Sequence, residues 1–143
     1  MSVVSNAGPL IALARIGCLE LLPSLYGHVL IPRAVSLEVM MDPRRMGAQE
    51  LVSCVWIDVR DISDTQAVAV LRLTLDRGES EAIVLARQLG KTLLMDEQRG
   101  RAMAAALGVP HTGTIGVLLA AKRAGLLPSV CLALEDLKTQ GVY

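Results

Sequence analysis

Aromatic side chains are almost absent from the sequence. The 143 residues include no Phe, one Trp and two Tyr, so aromatic residues make up only 2% of the chain. Proteins that bind single-stranded nucleic acid without sequence preference stack the bases on exposed aromatic side chains. Glycosidases, which pair two carboxylates, usually bind their sugars in clefts rich in aromatic residues. Neither a base-stacking surface nor a glycosidase cleft is therefore expected.

A charge excess of either sign is also lacking. The chain has 14 basic and 14 acidic residues and a formal net charge of zero. A strongly basic protein holds nucleic acid mainly through its charge, which makes binding sequence-independent and sensitive to salt. This chain is therefore not expected to bind nucleic acid through its overall charge, although a local basic patch is compatible with its composition.

Cysteine is scarce, and its spacing points to neither metal nor disulfide chemistry. Cys18, Cys54 and Cys131 are far apart, and no CxxC or Cys/His cluster occurs. A zinc site needs closely spaced ligands, and a disulfide framework needs an even set of cysteines. We expect three reduced, buried thiols and a cytoplasmic protein.

Long uninterrupted hydrophobic runs are missing. The first 14 residues carry no charged side chain, but Asn6 and Gly8 interrupt them and no basic segment precedes them. Residues 102–121 also lack Asp, Glu, Lys and Arg, yet Gly108 and Pro110 break this stretch in the middle. The first stretch differs from a signal peptide and the second from a membrane-spanning helix. No membrane association is predicted.

Short runs of aliphatic side chains dominate the chain. Hydrophobic residues make up 52% of the sequence. Strands of a parallel sheet are buried on both faces and therefore read as short, continuous apolar runs. We predict such strands at residues 2–5, 28–31, 92–95 and 109–112, and a weaker, alternating strand at 55–59.

Helices are predicted between these strands from apolar spacing, capping residues and Gly or Pro breaks. The predicted helices cover residues 9–16, 33–40, 79–89, 98–107, 114–124 and 128–138. A further helix begins at the capping residue Ser63 or Asp64 and runs to residue 73. A weaker helix is predicted at 48–54, and a single turn at 19–22 precedes Pro23. The alternation of strands and helices predicts an α/β fold with a parallel sheet between layers of helices. The length fits one domain.

Short polar residues follow three of the predicted strands. In an open parallel sheet, ligands bind beyond the carboxyl ends of the strands, so these residues are the first candidates for a functional site. They are Asn6 after the first strand, Asp96 and Glu97 after the strand at 92–95, and Thr112, Gly113 and Thr114 at the end of the last strand.

Three glutamates on helices are further candidates. Glu38 lies in the helix after the second strand, and Glu79 and Glu81 open the helix that precedes the Asp96 strand. A glutamate in a first helical turn also stabilises the positive end of the helix dipole, which explains Glu79 equally well. Glu81 is the better functional candidate, because the apolar residues that follow it lead directly into the buried face.

A set of acids without His, Cys or Lys partners favours a hard divalent cation. Mg²⁺ and Mn²⁺ take oxygen ligands from a few carboxylates and retain several waters. Such ions activate water and neutralise charge on a phosphate. Acids at strand ends are common, so the spacing by itself leaves a metal site and a structural role both open.

Four segments of the chain, in order, resemble the PIN-domain nucleases. They are VVSNAGPLIALARIG at 3–17, LIPRAVSLEV at 30–39, GESEAIVLARQLGKTLLMDEQRGRAMAAALGV at 78–109 and GTIGVLLAAKRAGLL at 113–127. The third segment is the most specific, and together the four cover most of the chain. The sequences of these segments are most similar to those of the branch of PIN proteins that is paired with small antitoxins, such as the VapC toxins.

The resemblance implies a PIN-like domain over residues 1–143, with three α/β/α layers and a short parallel sheet. It also implies a Mg²⁺- or Mn²⁺-dependent endoribonuclease that acts on RNA as the toxin of a toxin–antitoxin pair, with a small antitoxin protein as partner. The catalytic, metal-binding positions of the family fall on Asn6, Glu38, Glu81 and Asp96, with Glu79 beside Glu81.

Three further residues support this site less directly. Thr112 stands where the family often has a hydroxyl near the metal, and Arg99 and Arg101 follow the fourth strand closely enough to hold the RNA backbone. A solvated helix face explains these two arginines at least as well. The loop residues Arg44 and Arg45 carry the same two interpretations.

Two positions depart from the family pattern. Asn6 stands where most PIN nucleases have Asp, and Gly8 stands where a Ser is usual. An amide oxygen can coordinate a metal but brings no charge, so it holds Mg²⁺ less firmly. Two interpretations stay open: a nuclease with a weakened site, or an impaired PIN-fold protein that binds RNA or an antitoxin.

Other α/β proteins fit the sequence less well. A nucleotide-binding protein of the flavodoxin type needs a Gly-rich phosphate loop, and NAGP at 6–9 is too short to be one. A receiver domain needs an acidic pair at its first strand and a Lys at the end of a later strand, and neither occurs.

A homodimer is also predicted from the composition. So aliphatic a chain is expected to leave apolar area exposed, and self-association through one patch would cover it. The terminal helix and the region 9–22 are the expected contact surfaces.

Overall fold

Five parallel strands form one sheet in the computed structural model, which describes residues 1–41 and 54–141. The strands are β1 (Ser2–Ser5), β2 (His28–Pro32), β3 (Ile57–Arg60), β4 (Leu93–Leu94) and β5 (His111–Thr112). Their order across the sheet is β3-β2-β1-β4-β5. The predicted α/β class and the parallel sheet are confirmed.

Eight helices flank the sheet in the described part of the chain. They are α1 (Ala7–Arg15), α2 (Leu21–Tyr26), α3 (Arg33–Met40), α4 (Thr65–Leu71), α5 (Arg77–Leu89), α6 (Gln98–Ala106), α7 (Thr114–Arg123) and α8 (Val130–Thr139). Helix α5 packs against the central strands and against α3, α4 and α6, whereas α7 packs against α1, α2 and α8. The result is a three-layer α/β/α arrangement.

Aliphatic side chains of the central strands form the core, which explains why these strands read as apolar runs. Val3 and Val4 of β1, and Leu93 and Leu94 of β4, are at most 3% exposed. The edge strand β3 differs, since Val59 is 40% exposed. Its weak, alternating pattern therefore reflects a strand that is not covered on both faces.

The strand order creates a switch point between β1 and β4. From β1 the sheet extends through β2 and β3 on one side, and through β4 and β5 on the other. Ser5 of β1 aligns with Leu94 of β4, so both strands end at the same level. Open α/β sheets bind ligands in the crevice at such a point. Asn6 and Asp96, which follow these strands, therefore lie at the expected place for a site.

Proline positions account for two errors in the predicted helices. Helix α1 begins at Ala7, two residues earlier than predicted, so Pro9 is its third residue. The single turn predicted at 19–22 is too short: residues 19 and 20 form a turn, and helix α2 follows from Leu21 to Tyr26 and contains Pro23. The first N–H groups of a helix have no partner inside it, so proline loses no hydrogen bond in the first turn.

Two of the helix ends lie at the predicted capping residues. The Asp64 side chain accepts a hydrogen bond from Ala67 N at 3.0 Å and begins α4, as predicted. Gly90 ends α5 with a left-handed φ of 65°. Helix α5 was predicted to begin at Glu79 but begins two residues earlier, at Arg77, because Asp76 is its N-cap.

Strands β4 and β5 contain two residues each, although four were predicted for both. The remaining predicted helices agree with the observed ones within two residues at each end. The helix predicted at 48–54 falls outside the described residues except for Cys54, which belongs to no helix. The predictions for Arg44 and Arg45 also lie outside them.

No helix within residues 1–41 and 54–141 is long and apolar enough to cross a bilayer. All three cysteines lie in the described ranges, and no disulfide joins them. Cys131 is exposed, so the prediction of a buried thiol is wrong there, and Cys18 and Cys54 are only partly buried. Burial raises the pKa of the Cys18 thiol.

Candidate functional site

Asn6 lies at the buried carboxyl end of β1. Its backbone N–H donates to the carbonyl oxygen of Leu94 on β4 at 2.9 Å, and the residue is 5% exposed. It precedes α1 but makes no capping hydrogen bond with its side chain. Among the described residues, the buried Asn6 Oδ1 has no hydrogen-bond partner. A buried oxygen without a hydrogen-bond partner lowers the stability of the folded protein by about 1–3 kcal/mol. The Asn6 Oδ1 atom is therefore available to bind a ligand, such as a cation, that coordinates oxygen.

Gly78, in the first turn of α5, leaves open the space beside Asn6. A Cβ at this position would lie 2.6 Å from Glu38 Oε1, 3.7 Å from Asn6 Oδ1 and 3.7 Å from Asp76 Oδ1. Three oxygens from β1, α3 and the start of α5 therefore surround one point. We call Asn6, Glu38, Asp76 and Glu79 the Gly78 cluster.

Asp76 and Glu79 are joined by a reciprocal capping box at the start of α5. The Asp76 Oδ1 atom accepts from Glu79 N at 2.7 Å, and Glu79 Oε1 accepts from Asp76 N at 3.0 Å. Each carboxylate thus satisfies a backbone N–H that the helix leaves unpaired. The box fixes two carboxylates next to Gly78.

Desolvation and mutual repulsion raise the pKa of two carboxyl groups in this cluster, although the Glu38 residue as a whole is exposed. Desolvation raises the pKa of Glu38, and the charges of Asp76 and Glu79 raise it further. Desolvation also raises the pKa of Glu79, with additional repulsion from Asp76 and Glu97 and an opposing backbone hydrogen bond from Asp76. The charged cluster is therefore destabilising in the absence of a cation.

Neutralising Glu38 is expected to stabilise the metal-free protein at neutral pH. A carboxyl group whose pKa is raised in the folded state stabilises the fold below its unfolded-state pKa, and that stability is lost as pH rises through the folded-state pKa. Glu38→Gln should therefore raise Tm in EDTA above pH 7, and the gain should shrink as pH falls towards 4.5, the ordinary value. Glu135→Gln, on the exposed face of α8, is the control. A gain that does not change with pH would contradict the assignment.

Asp96 follows β4 and caps helix α7 from outside that helix. Its Oδ1 accepts from Thr114 N at 2.7 Å, and its Oδ2 accepts from the Thr114 hydroxyl at 2.6 Å. A Cβ at Gly113 would lie 2.6 Å from Asp96 Oδ1, so a side chain there would displace the carboxylate. A Cβ at Gly8 would lie 3.8 Å from Asp96 Oδ2, which leaves room for a serine at that position.

The two arginines of α6 lie in different surroundings. Arg101 Nη1 would be 3.1 Å from a Cβ at Gly113, a point that Asp96 also borders, so the Arg101 guanidinium lies near the Asp96 carboxylate. Arg99 instead lines a surface groove with Leu73 and Leu75. Only Arg101 is thus close to the predicted site residues.

Glu81 and Thr112 contact groups that are not members of the Gly78 cluster. Glu81 is 7% exposed, and its Oε1 accepts from Ala34 N at 3.3 Å, at the start of α3. Its Oε2 accepts from Arg77 Nε at 2.8 Å. The Thr112 hydroxyl lies against Gly116 of α7. A metal-binding role for Glu81 stays a prediction, and both of its oxygens accept hydrogen bonds, as those of Asp96 do.

The oxygens around Gly78 are of the kind that Mg²⁺ and Mn²⁺ prefer. Hard divalent cations bind carboxylate and amide oxygens, and the orphaned Asn6 Oδ1 lies beside two carboxylates. Within residues 1–41 and 54–141, no three His, Cys, Asp or Glu side chains are close enough together to form a ready-made ion site. The donor chemistry fits a divalent cation, although the side chains would have to draw together around it.

Sequence reasoning missed Asp76, Gly78 and the role of Thr114. The motif D-R-G-E at 76–79 is a capping-box signal, with an acid at the N-cap and Glu three residues later, and it would have found Asp76. Thr114 was visible as a polar residue after the last strand. Its contact with Asp96 depends on the neighbouring strand, so no local pattern indicates it.

The comparison with protein families agrees with this geometry. A family model described as a PIN domain matches residues 2–143. A search among curated proteins finds no match to the chain. PIN domains are generally nucleases that use divalent metal ions. Because the match extends over nearly the whole chain and the sheet and switch-point site accord with it, the chain belongs to the PIN-domain family.

Proposed function

We propose that this protein is a metal-dependent endoribonuclease that uses Mg²⁺ or Mn²⁺. The observation that carries the proposal is the buried, unpartnered Asn6 Oδ1 beside the carboxylates of the Gly78 cluster, at the switch point of the sheet. The resemblance to the PIN nucleases implies metal-binding positions at that edge, and the chain matches the family model over residues 2–143.

The residues best placed to hold a cation are Asn6, Glu38 and Asp96, with Glu79 next to them. Asn6 and Glu38 share the space at Gly78, and Asp96 follows the neighbouring strand. A divalent ion bound there supplies positive charge to a phosphodiester and makes a water more acidic. The resemblance also implies that Glu81 is a metal ligand, although its side chain caps α3 in the described structure.

Other side chains position these ligands and the substrate. Thr114 fixes both oxygens of Asp96 through two short hydrogen bonds, which limits the orientations that this carboxylate can adopt. Arg101 is exposed and lies near Asp96, where its guanidinium can contact a phosphate of the RNA backbone. With net charge zero and few aromatics, the protein has to hold RNA through such local contacts.

Replacing Gly78 by Ala is expected to separate stability from metal binding. Alanine favours a helix over glycine by up to about 1 kcal/mol, so Tm should be unchanged or higher. The new Cβ would lie 2.6 Å from Glu38 Oε1, so the carboxylate must move and Mn²⁺ affinity should fall. Calorimetric titration with Mn²⁺ and thermal melting measure the two effects. Unchanged affinity would show that Glu38 does not need this position.

A second candidate function is an impaired PIN-fold protein that binds RNA or an antitoxin. Asn6 is the observation in its favour, because an amide adds no negative charge to the site. Gly8 is weaker support, since the space beside Asp96 accommodates a serine but does not require one.

A cleavage assay distinguishes the two candidates. Labelled structured RNAs are incubated with the protein and Mn²⁺ or Mg²⁺, with EDTA as the control, and the unmodified chain is compared with Asn6→Asp. Cleavage by the unmodified chain that EDTA abolishes supports the nuclease. Cleavage by Asn6→Asp alone indicates an impaired nuclease. RNA binding without cleavage by either protein favours the binding module.

A toxin role with an antitoxin partner, and a homodimer, are part of the proposal. The exposed apolar side chains Leu119, Leu126 and Leu132 of the α7–α8 region support a protein contact there, since they are 43%, 44% and 62% exposed. Gel filtration with light scattering tests the dimer. A monomer mass at micromolar concentration would contradict it.

A further inference from the structure

We propose that Asp76 supplies the negative charge that Asn6 lacks, so that the cation site draws its third charged ligand from the N-cap of α5. The inference rests on the proposed metal-dependent function and names a ligand for it. It also explains how a site with an amide at the end of β1 can still bind a divalent cation.

The position of Asp76 is the first argument. Asp76 Oδ1 and Asn6 Oδ1 are each 3.7 Å from the Cβ position of Gly78, and Glu38 Oε1 is 2.6 Å from it. Asn6 is 5% exposed, and its oxygen has no hydrogen-bond partner in the described chain. A buried, unpartnered amide oxygen and two carboxylates thus face the same small space.

Gly78 is the second argument. It is buried in the first turn of α5, and its φ is not left-handed, so the backbone does not require glycine there. Glycine nevertheless disfavours the helix relative to alanine. The reason for a glycine is therefore the space between the Glu38 and Asp76 carboxylates, which a methyl group would fill.

The capping bond leaves Asp76 able to bind a cation. Only Oδ1 accepts the N–H of Glu79, and a carboxylate has two oxygens with about four lone-pair directions. Asp76 is exposed overall, so a cation can reach it from solvent. Glu81, by contrast, has one oxygen on Ala34 N and the other on Arg77 Nε.

The total negative charge of the site is the argument for coupling between positions 6 and 76. Glu38 Oε1 and Asp76 Oδ1 already border the space at Gly78, and Glu79 shares the capping box with Asp76. An aspartate at position 6 would add a fourth carboxylate in a place that is 95% buried, where an unpaired charge is strongly disfavoured. Asn6 keeps the oxygen donor and omits that charge, and Asp76 provides it from the exposed side.

The test is Mn²⁺ affinity of the full chain, measured by isothermal titration calorimetry. Asp76→Asn should weaken binding by at least about tenfold, the scale seen when a group that supports a metal site is removed. Asn6→Asp in the Asp76→Asn background should restore most of that loss. Asparagine caps a helix as well as aspartate does, so both variants should keep the fold, as circular dichroism can verify.

Two further variants separate the ligand role from the capping role. Asp64→Asn changes the equivalent cap of α4, where the Asp64 side chain accepts from Ala67 N, and should leave Mn²⁺ affinity unchanged. Asp76→Ser keeps a good cap without the charge and should lose affinity as Asp76→Asn does.

The outcomes distinguish this inference from the function on which it rests. If the unmodified chain binds Mn²⁺ and Asp76→Asn binds it equally well, the inference is overturned and the metal-dependent nuclease stands. If Asp76→Asn weakens binding but Asn6→Asp does not restore it, compensation between the two positions is overturned. If the unmodified chain binds no Mn²⁺ while folded, the metal-dependent function fails and the inference fails with it.

Discussion

Asp96→Asn is expected to reduce RNA cleavage by about a hundredfold or more while leaving the fold in place. The substitution removes a charged oxygen ligand from the proposed site, and metal sites lose affinity or activity on this scale when such groups are changed. The amide oxygen can still accept the Thr114 N–H, and the amide nitrogen can donate to the Thr114 hydroxyl. Single-turnover cleavage in Mn²⁺ and thermal melting measure the two properties.

Thr114→Val and Asp96→Ala complete this experiment. Thr114→Val removes the 2.6 Å hydroxyl bond but keeps the charge of Asp96, so it should lose less activity than Asp96→Asn. Asp96→Ala also removes the cap of α7 and should destabilise the fold by about 2–3 kcal/mol, because hydrogen bonds to charged groups are the stronger ones. If Asp96→Asn cleaved RNA as fast as the unmodified chain, the proposed site would be wrong.

Gly100→Ala is expected to destabilise the protein by about 1–3 kcal/mol, the usual cost of overpacking. Gly100 lies on α6, and a Cβ there would collide with Met95 Sδ. Methionine is flexible, but Met95 is 0% exposed and cannot swing into solvent. The collision therefore outweighs the gain in helix propensity. Urea denaturation gives the free energy of unfolding.

A double-mutant cycle checks the cause of that loss. In a Met95→Ala background the space is free, so Gly100→Ala should become neutral or stabilising, since alanine is the better helix former. Gly8→Ala is a matched control, because the nearest atom to its Cβ would be 3.8 Å away. Equal destabilisation by Gly100→Ala in both backgrounds would exclude the contact with Met95 as its origin.

The sequence predicted much of the fold because the signals for it are local. β1 occupies residues 2–5 and α3 occupies residues 33–40, as predicted, and the continuous apolar runs identified a sheet buried on both faces. The main errors were at helix starts. A proline in a first turn reads as a boundary but leaves the backbone hydrogen bonds intact.

For the candidate site, the sequence indicated which strand ends lie side by side but not which side chains contact one another. Asn6 and Asp96 were identified because strand ends in a parallel sheet meet at one edge. The preference for Glu81 over Glu79 came from neighbouring apolar residues. In the structure Glu81 caps α3, while Glu79 shares a capping box with Asp76 beside Gly78. Which partners each glutamate finds depends on helix rotation and on contacts with α3, which the sequence of one helix does not specify.

The sequence by itself determined the α/β class, the alternation of strands and helices, and the polar residues at the strand ends. These features follow from the spacing of hydrophobic residues and from capping and turn residues, which act over only a few positions of the chain. Only the tertiary structure decided that Asp76 and Glu38 border the same space as the unpartnered Asn6 oxygen, and that Thr114 holds Asp96. The physical reason is that these contacts join residues 18 to 70 positions apart, whose distances are set by how the helices pack on the sheet.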